Sequence, residues 1–300
     1  MNFGWDDKLN WDRIDAYERD GETARLAGWW HRPSARARRG ATRVGNAVRH
    51  ALAATECCRW DEVERAIEEL ERIELRPVAQ IAVRTVYAQV LGREREAIRL
   101  IEQLGRTGVA TGADPHVWAS GVIAAALHGY LTGGVSGTAQ PVSLVRQMCA
   151  RFGELEPESA HLMCFSLALL ARAGSSPVLA AFLLGHLADS GDARQRPTLR
   201  MEHRARGHAA LRASTGLCIL TLGDVATGAR VLVGLIEGSE AARMPLVTGL
   251  VGAELARLEL TGGDTHAAGR WIERTHRFSE RYGARLPQQV ISRVREQVPG

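Results

Sequence analysis

Leu220-Thr221-Leu222-Gly223-Asp224 returns forty residues later as Leu260-Thr261-Gly262-Gly263-Asp264, and Arg230 and Arg270 stand at matching places after the two copies. A weaker third copy is Leu131-Thr132-Gly133-Gly134, while Leu91-Gly92 and Ala173-Gly174 occupy equivalent positions. The glycines at 92, 134, 174, 223 and 263 are 42, 40, 49 and 40 residues apart. Periods of about 34 to 47 residues belong to helical repeats. The unit reads as a helix, a tight turn at Gly or Gly-Asp, and a second helix whose first amides the Asp caps. Small residues follow the turn (Ala226, Thr227, Gly228, Ala229; Ala267, Ala268, Gly269), where two antiparallel helices must come close.

The rest of the chain is consistent with that unit. Val63, Ile67, Leu70 and Ile73 recur at helical spacing, as do Ile98, Ile101 and Leu104, and no alternating strand pattern stands out. Prolines fall where helices should begin, at Pro77, Pro115, Pro141, Pro157, Pro177 and Pro197. Helix pairs are expected at 41–73, 77–105, 114–154, 157–190, 197–237 and 241–283, with a terminal capping helix near 286–298. The expectation is an all-α, tetratricopeptide-like α-solenoid of about six antiparallel helix pairs, because such units bury their apolar faces only by stacking. By domain, 1–40 is a Trp/Arg-rich cap or arm, 41–283 the repeat array and 284–300 the C-terminal cap.

Ala256-Arg257-Leu258-Glu259-Leu260-Thr261-Gly262-Gly263-Asp264, running on through Ala267-Ala268 to Arg281-Tyr282-Gly283, resembles the tetratricopeptide-like repeats of large LuxR-type ATP-binding regulators. The chain lacks that family's phosphate-binding Gly-x-x-x-x-Gly-Lys-Ser/Thr, and Gly300 leaves no room for a DNA-reading helix-turn-helix. The resemblance therefore implies a sensor or interaction module standing alone, and it carries over no catalytic residue.

The chain has 300 residues, of which 45% are apolar and 24% charged, as in a folded globular protein. Its net charge of +4 is local, because residues 31–50 hold Arg32, Arg36, Arg38, Arg39, Arg43 and Arg49 with no acid. Asp61, Glu62, Glu64, Glu68, Glu69, Glu71 and Glu74 follow with only Arg65 and Arg72 among them, a block that can neutralise the basic one. Lys8 is the single lysine among 38 basic residues, a mark of codon usage before guanidinium chemistry. The five cysteines (Cys57, Cys58, Cys149, Cys164, Cys218) form no Cys-x-x-Cys pair, which points to a reduced, cytoplasmic protein. No signal pattern opens the chain, and the most apolar run, Val178 to Ala188, is short of the about 20 residues that cross a bilayer. Trp5, Trp11, Trp29 and Trp30 are four of the seven tryptophans and suit a cap over the first repeat.

Glu158/His161 and Glu273/His276 share the Glu-x-x-His spacing of di-iron bundles, but such a site needs carboxylates from two further helices. Between Ala113 and Gly153 the only acid is Asp114, so no metal or other cofactor is expected. The chain has no His-Glu-x-x-His and no Gly-x-Ser-x-Gly, which disfavours an enzyme. Arg200, Arg204, His208 and Arg212 step by four along one helix as a basic stripe, and Arg84, Tyr87, His128, Tyr130 and His161 sit on neighbouring first helices. If first helices line a concave wall, these residues face a protein or peptide partner, an acidic one by charge.

The leading expectation is a non-enzymatic interaction or regulatory module that binds a peptide, protein or effector on its concave face. The alternatives are a repeat protein gripping a nucleic-acid backbone, and a helical enzyme with a pocket, metal-dependent or not, between helices. The apolar stretch 162–188 is expected at the centre of the stack; as an outer face it would predict a homodimer.

Overall fold

The computed structural model describes residues 43–73, 77–107, 114–133, 155, 157–190, 201–237 and 244–297, with only the helical backbone for 157–158, 186, 188–190, 201–208 and 297. These residues form twelve helices and no strand. In order they are α1 (Arg43–Glu56), α2 (Trp60–Ile73), α3 (Val78–Val90), α4 (Glu94–Thr107), α5 (Pro115–Thr132) and α6 (Pro157–Ala173). They continue as α7 (Pro177–Ser190), α8 (Met201–Thr221), α9 (Val225–Ile236), α10 (Pro245–Gly262), α11 (Thr265–Tyr282) and α12 (Leu286–Gln297). The N-terminal segment, the second helix expected within 114–154, and Arg200 lie outside the described residues.

Each short turn joins helices that pack on each other: α1 on α2, α3 on α4, α6 on α7, α8 on α9 and α10 on α11. The turns use left-handed backbone, with φ of +71° at Gly92, +86° at Gly133, +97° at Gly223 and +84° at Gly263. Glycine takes this conformation without the Cβ clash other residues meet. Two turns depart from the glycine pattern. After α6 the left-handed residue is Ser175 rather than Gly174, and after α1 it is Cys58. A Gly-only search therefore misses the first turn of the series. Asp224 caps α9 by accepting from Thr227 N at 3.0 Å, and Asp264 caps α11 by accepting from Ala267 N at 2.9 Å.

Of the small residues after the turn, Gly228, Ala229, Ala267 and Ala268 are buried as expected, whereas Ala226 and Gly269 are exposed and make no close helix approach. A Cβ on Gly228 would stand 2.9 Å from Gly216 O, and one on Gly216 would stand 3.3 Å from Gly228 O, so α8 and α9 touch backbone to backbone there.

First and second helices differ in burial. Most residues of α5 and of α10 are buried, and α3 is buried from Ile81 to Val90 except at Arg84. A helix apolar all round is one that neighbours surround. By contrast α2 and α4 bury one stripe and expose charged faces. On α4 the buried stripe is Ala97, Leu100 and Leu104, while Ile98 is 42% exposed. Asp61, Glu64, Glu68 and Glu71 of the acidic block thus lie on the solvated face of α2 while Glu62 is buried, Glu74 lies outside the described residues, and Arg43 of the basic block reaches Glu69 at 3.4 Å. In the 162–188 stretch, α6 is buried from Leu162 to Ala171 except that its neighbour His161 is half-buried, whereas Val178 on α7 is 48% exposed.

The two ends of the described chain meet. Helix α1 packs against α3, α5, α6 and α10, and α12 packs against α10 and α11. Trp60 Nε1 donates to Tyr282 O at 2.6 Å, and Arg285 N donates to Val90 O at 2.9 Å. Gln289 Nε2 reaches Gly92 O at 3.5 Å, and Arg293 pairs with Glu94 at 3.2 Å. Arg285, just before α12, and Gln289 and Arg293 on one face of it are laid along the turn between α3 and α4.

Candidate functional site

A shallow cleft, open to solvent, lies where α12 crosses the α3–α4 turn; the region spans about 370 Å³ when open solvent is included. Its walls come from the end of α3 (Gln89), the start of α4 (Glu94, Ala97, Ile98), the end of α5 (His128, Leu131, Thr132) and α12 (Gln289, Arg293). Ala97, Ile98 and Leu131 give it an apolar side. The polar groups have defined partners on one side only. Gln89 Nε2 donates to Ala124 O at 2.9 Å, which fixes the amide orientation and leaves Oε1 buried with no protein donor. Gln289 repeats the pattern: its Nε2 faces Gly92 O, and its Oε1 is buried with no protein donor.

His128 is half-buried in the same wall. Burial, and then the Arg293 guanidinium, push its pKa below the ordinary histidine value, so the imidazole is neutral at pH 7. Thr132 Oγ1 donates to His128 O at 3.0 Å, tying the last turn of α5. An imidazole and an ion pair beside an apolar wall can hold a small polar molecule by hydrogen bonds.

A second polar cluster is sealed inside. Glu254 of α10 has a fully buried side chain, and its Oε1 accepts from Tyr130 OH at 2.8 Å. Its Oε2 takes Arg257 at 2.6 Å and faces Arg172 Nε at 3.6 Å. Burial and the Glu254 charge hold the Tyr130 phenol far above the usual range. Burial, and then repulsion from Arg257, lower the Arg172 pKa; at Arg257 burial opposes the charge, but Glu254 and Tyr130 together outweigh it and raise its pKa. The cluster fastens α5, α6 and α10 through one carboxylate.

The residues singled out from sequence spread over several places. His128 lines the cleft. Tyr87 is buried in the corner of α2, α3 and α4, donating to Glu64 Oε1 at 2.6 Å beside the Trp60 ring at 5.9 Å. Burial, then the Glu64 hydrogen bond, push its phenol up to about 12. Arg84 bridges Glu71 at 3.6 Å and Glu96 at 3.5 Å, joining α2 to α4. His161 is half-buried on α6, and Arg212 is half-buried on α8 with its guanidinium 3.5 Å from the place of a Cβ on Gly234 of α9. Arg200 and the side chains of Arg204, His208 and Glu158 lie outside the described residues. Glu273 and His276 sit on the exposed side of α11, where His276 pairs with Glu280 at 3.2 Å. Among the described residues no group of three His, Cys, Asp or Glu side chains is placed to hold a metal ion.

Gln89, Glu94, Gln289 and Arg293 were not marked by the sequence. The four-residue spacing of Arg285, Gln289 and Arg293 is visible there, but the turn 197 residues away that it covers is not. Glu254 did carry a signal, as a lone acid inside the apolar run from Leu246 to Leu258.

Comparison of the chain with protein-family models, with curated proteins and with solved structures finds no match. Among the described residues no helix is long and apolar enough to cross a membrane.

Proposed function

We propose that the protein is a non-enzymatic regulatory module, a tetratricopeptide-like stack of about six helix pairs, that holds an effector in the cleft beneath α12 and presents its outer surface to a protein partner. One observation carries the reading: the cleft joins residues far apart in the chain, Gln89 to Thr132 on one side and Gln289 and Arg293 on the other, with His128 and the Arg293–Glu94 pair at its wall. An occupant there is in contact with α3, α4, α5 and α12 together, so its free energy adds to the closure of the chain ends. The pairing of successive helices and the left-handed turns support the repeat reading. The groups lining the cleft suit holding rather than bond-breaking: two amides, a neutral imidazole and a guanidinium already paired with a carboxylate.

Affinity capture from cell extract tests this. The immobilised protein is eluted with a salt ramp, and the eluate is read for protein, nucleic acid, small molecules and metal. The expected result is a small molecule or a discrete partner that Arg293→Ala or His128→Ala no longer retains. Recovery of nucleic acid with steep salt dependence would replace the reading with a backbone-binding one. Stoichiometric metal would replace it with an enzyme.

A further inference from the structure

We propose that the outward face of α7 pairs with the same face of a second copy of this chain, giving a weak homodimer; the pairing goes beyond the effector reading above and does not depend on it. Helix α7 packs on α6 and α8. Away from them it exposes Val178, Ala181, Phe182 and Gly185, which fall on one stripe along the helix. Val178 is 48% and Phe182 41% exposed, and they are two of the four large apolar side chains that reach solvent to this extent among the described residues. Single apolar residues scattered over a surface are ordinary, but here two stand one turn apart on the same stripe.

Charge and shape choose the occupant. Other second helices turn charge outward: α2 exposes Asp61, Glu64 and Arg65, and α11 exposes Glu273, Arg277 and Glu280. The described outward residues of α7 include no charge. In a two-fold contact a residue near the axis faces its own copy, so a charge there meets a like charge and is repelled. A face without charge escapes that repulsion. A charged peptide finds nothing on this stripe to pair with, and a helix that lies on lipid carries basic residues beside its apolar stripe, of which α7 has none.

The stripe is also complementary to itself. Val178 and Phe182 form one row four residues apart, and Ala181 and Gly185 form a second row beside it. The first row is a ridge and the second a groove. When the two-fold axis runs with the helices, the ridge of each copy faces the groove of the other. The groove is open in the single chain, because a Cβ on Gly185 meets nothing within 4 Å. Glycine inside a helix costs about 1 kcal/mol against alanine. No atom within that distance requires it at 185, whereas a second helix at close approach does. One helix face is small beside a standard interface, so the dimer is weak and fills at micromolar concentrations and above.

Sedimentation velocity of the full-length protein, from about 1 to 200 μM, tests the pairing. The weight-average mass is expected to rise from the 32.7 kDa of one chain toward twice that value and to stop there. Phe182→Glu sets like charges against each other, and Gly185→Leu fills the groove. Each is expected to raise the dissociation constant by about tenfold or more. Gly269→Leu, the same change at an equally open glycine on the charged face of α11, is expected to leave it unaltered. All three positions are exposed, and circular dichroism melts at the lowest concentration separate a lost dimer from a lost fold. A single-chain mass at every concentration overturns the proposal. So does a dimer that Phe182→Glu and Gly185→Leu leave intact, or one that Gly269→Leu weakens as much. Mass climbing past the dimer overturns the two-fold closure. A monomer that captures a different protein, and releases it on Phe182→Glu, overturns the self-pairing and assigns the face to that partner.

Discussion

The indole N–H of Trp60, at the first residue of α2, donates to the carbonyl oxygen of Tyr282, the last residue of α11, at 2.6 Å across 222 residues of chain. Tyr282 precedes Gly283, whose φ of +68° turns the chain into α12. The bond therefore fixes the point from which α12 is launched over the α3–α4 turn. Trp60→Phe keeps the ring beside Tyr87 and removes only the donor. The expected loss is about 1 kcal/mol, the worth of a typical hydrogen bond. Because Arg285 N donates to Val90 O just beyond, its amide should exchange faster with solvent in the variant. Unchanged exchange at Arg285 would mean that α12 is seated by its own contacts alone.

Glu254 is the sharper stability test. Its carboxylate holds Tyr130 and two arginines, Arg172 and Arg257, whose side chains are 20% and 19% exposed. Glu254→Gln strands two part-buried cations, and breaking a buried pair in this way costs about 3 to 5 kcal/mol. Tyr130→Phe removes one donor and leaves the ion pairs, so about 1 kcal/mol is expected. Denaturant melts of both, with the double variant, give the coupling. A Glu254→Gln cost no larger than that of Tyr130→Phe would show that solvent reaches the two arginines.

Gly228 and Gly269 should respond in opposite directions to the same change. A Cβ on Gly228 would lie 2.7 Å from Leu220 Cγ, 2.8 Å from Leu220 N and 2.9 Å from Gly216 O. Two of those atoms are backbone and cannot swing aside, so Gly228→Ala should push α9 off α8 and cost about 1 to 3 kcal/mol. At Gly269, exposed on α11, a Cβ meets nothing within 4 Å. There alanine should stabilise by about 0.5 to 1 kcal/mol through helix propensity alone. Thermal melts of the two variants, side by side, check the sign as well as the size.

How much of this was legible in sequence depends on whether a relation is local. The Leu-Thr-Gly-Gly-Asp phrase gave the turn at Gly263 and the cap at Asp264 because both are settled within five residues. Helix bounds followed for the same reason, with α12 at Leu286–Gln297 against an expected 286–298. The expected groove residues were placed by chain-local reasoning about helix faces, and that does not say which face of α3 another helix will cover. Tyr87 became buried because α2 supplied Glu64 and Trp60. The cleft was illegible because Gln89 and Gln289 are ordinary polar residues until the chain ends meet.

His128 offers a pH signature of that meeting. Its folded pKa is lowered by burial on α5 and by Arg293 reaching from α12, while unfolded histidine titrates near 6.5. Below about pH 6.5 the unfolded chain takes up a proton that the folded ring resists, so stability falls with pH through the window between the unfolded value and the lowered folded one. Above the window the contribution is fully retained. Glu259 acts in the other sense, since burial and then Asp264 raise its pKa, and acidification relieves its buried charge. The wild-type profile alone would mix the two, and the difference between wild type and His128→Gln separates them. Melting temperatures across about pH 5 to 7.5, the range in which histidine changes charge, should converge or cross on acidification, with the wild type losing more. Parallel profiles would show that Arg293 does not bear on His128 in solution, and that α12 is not seated over the cleft.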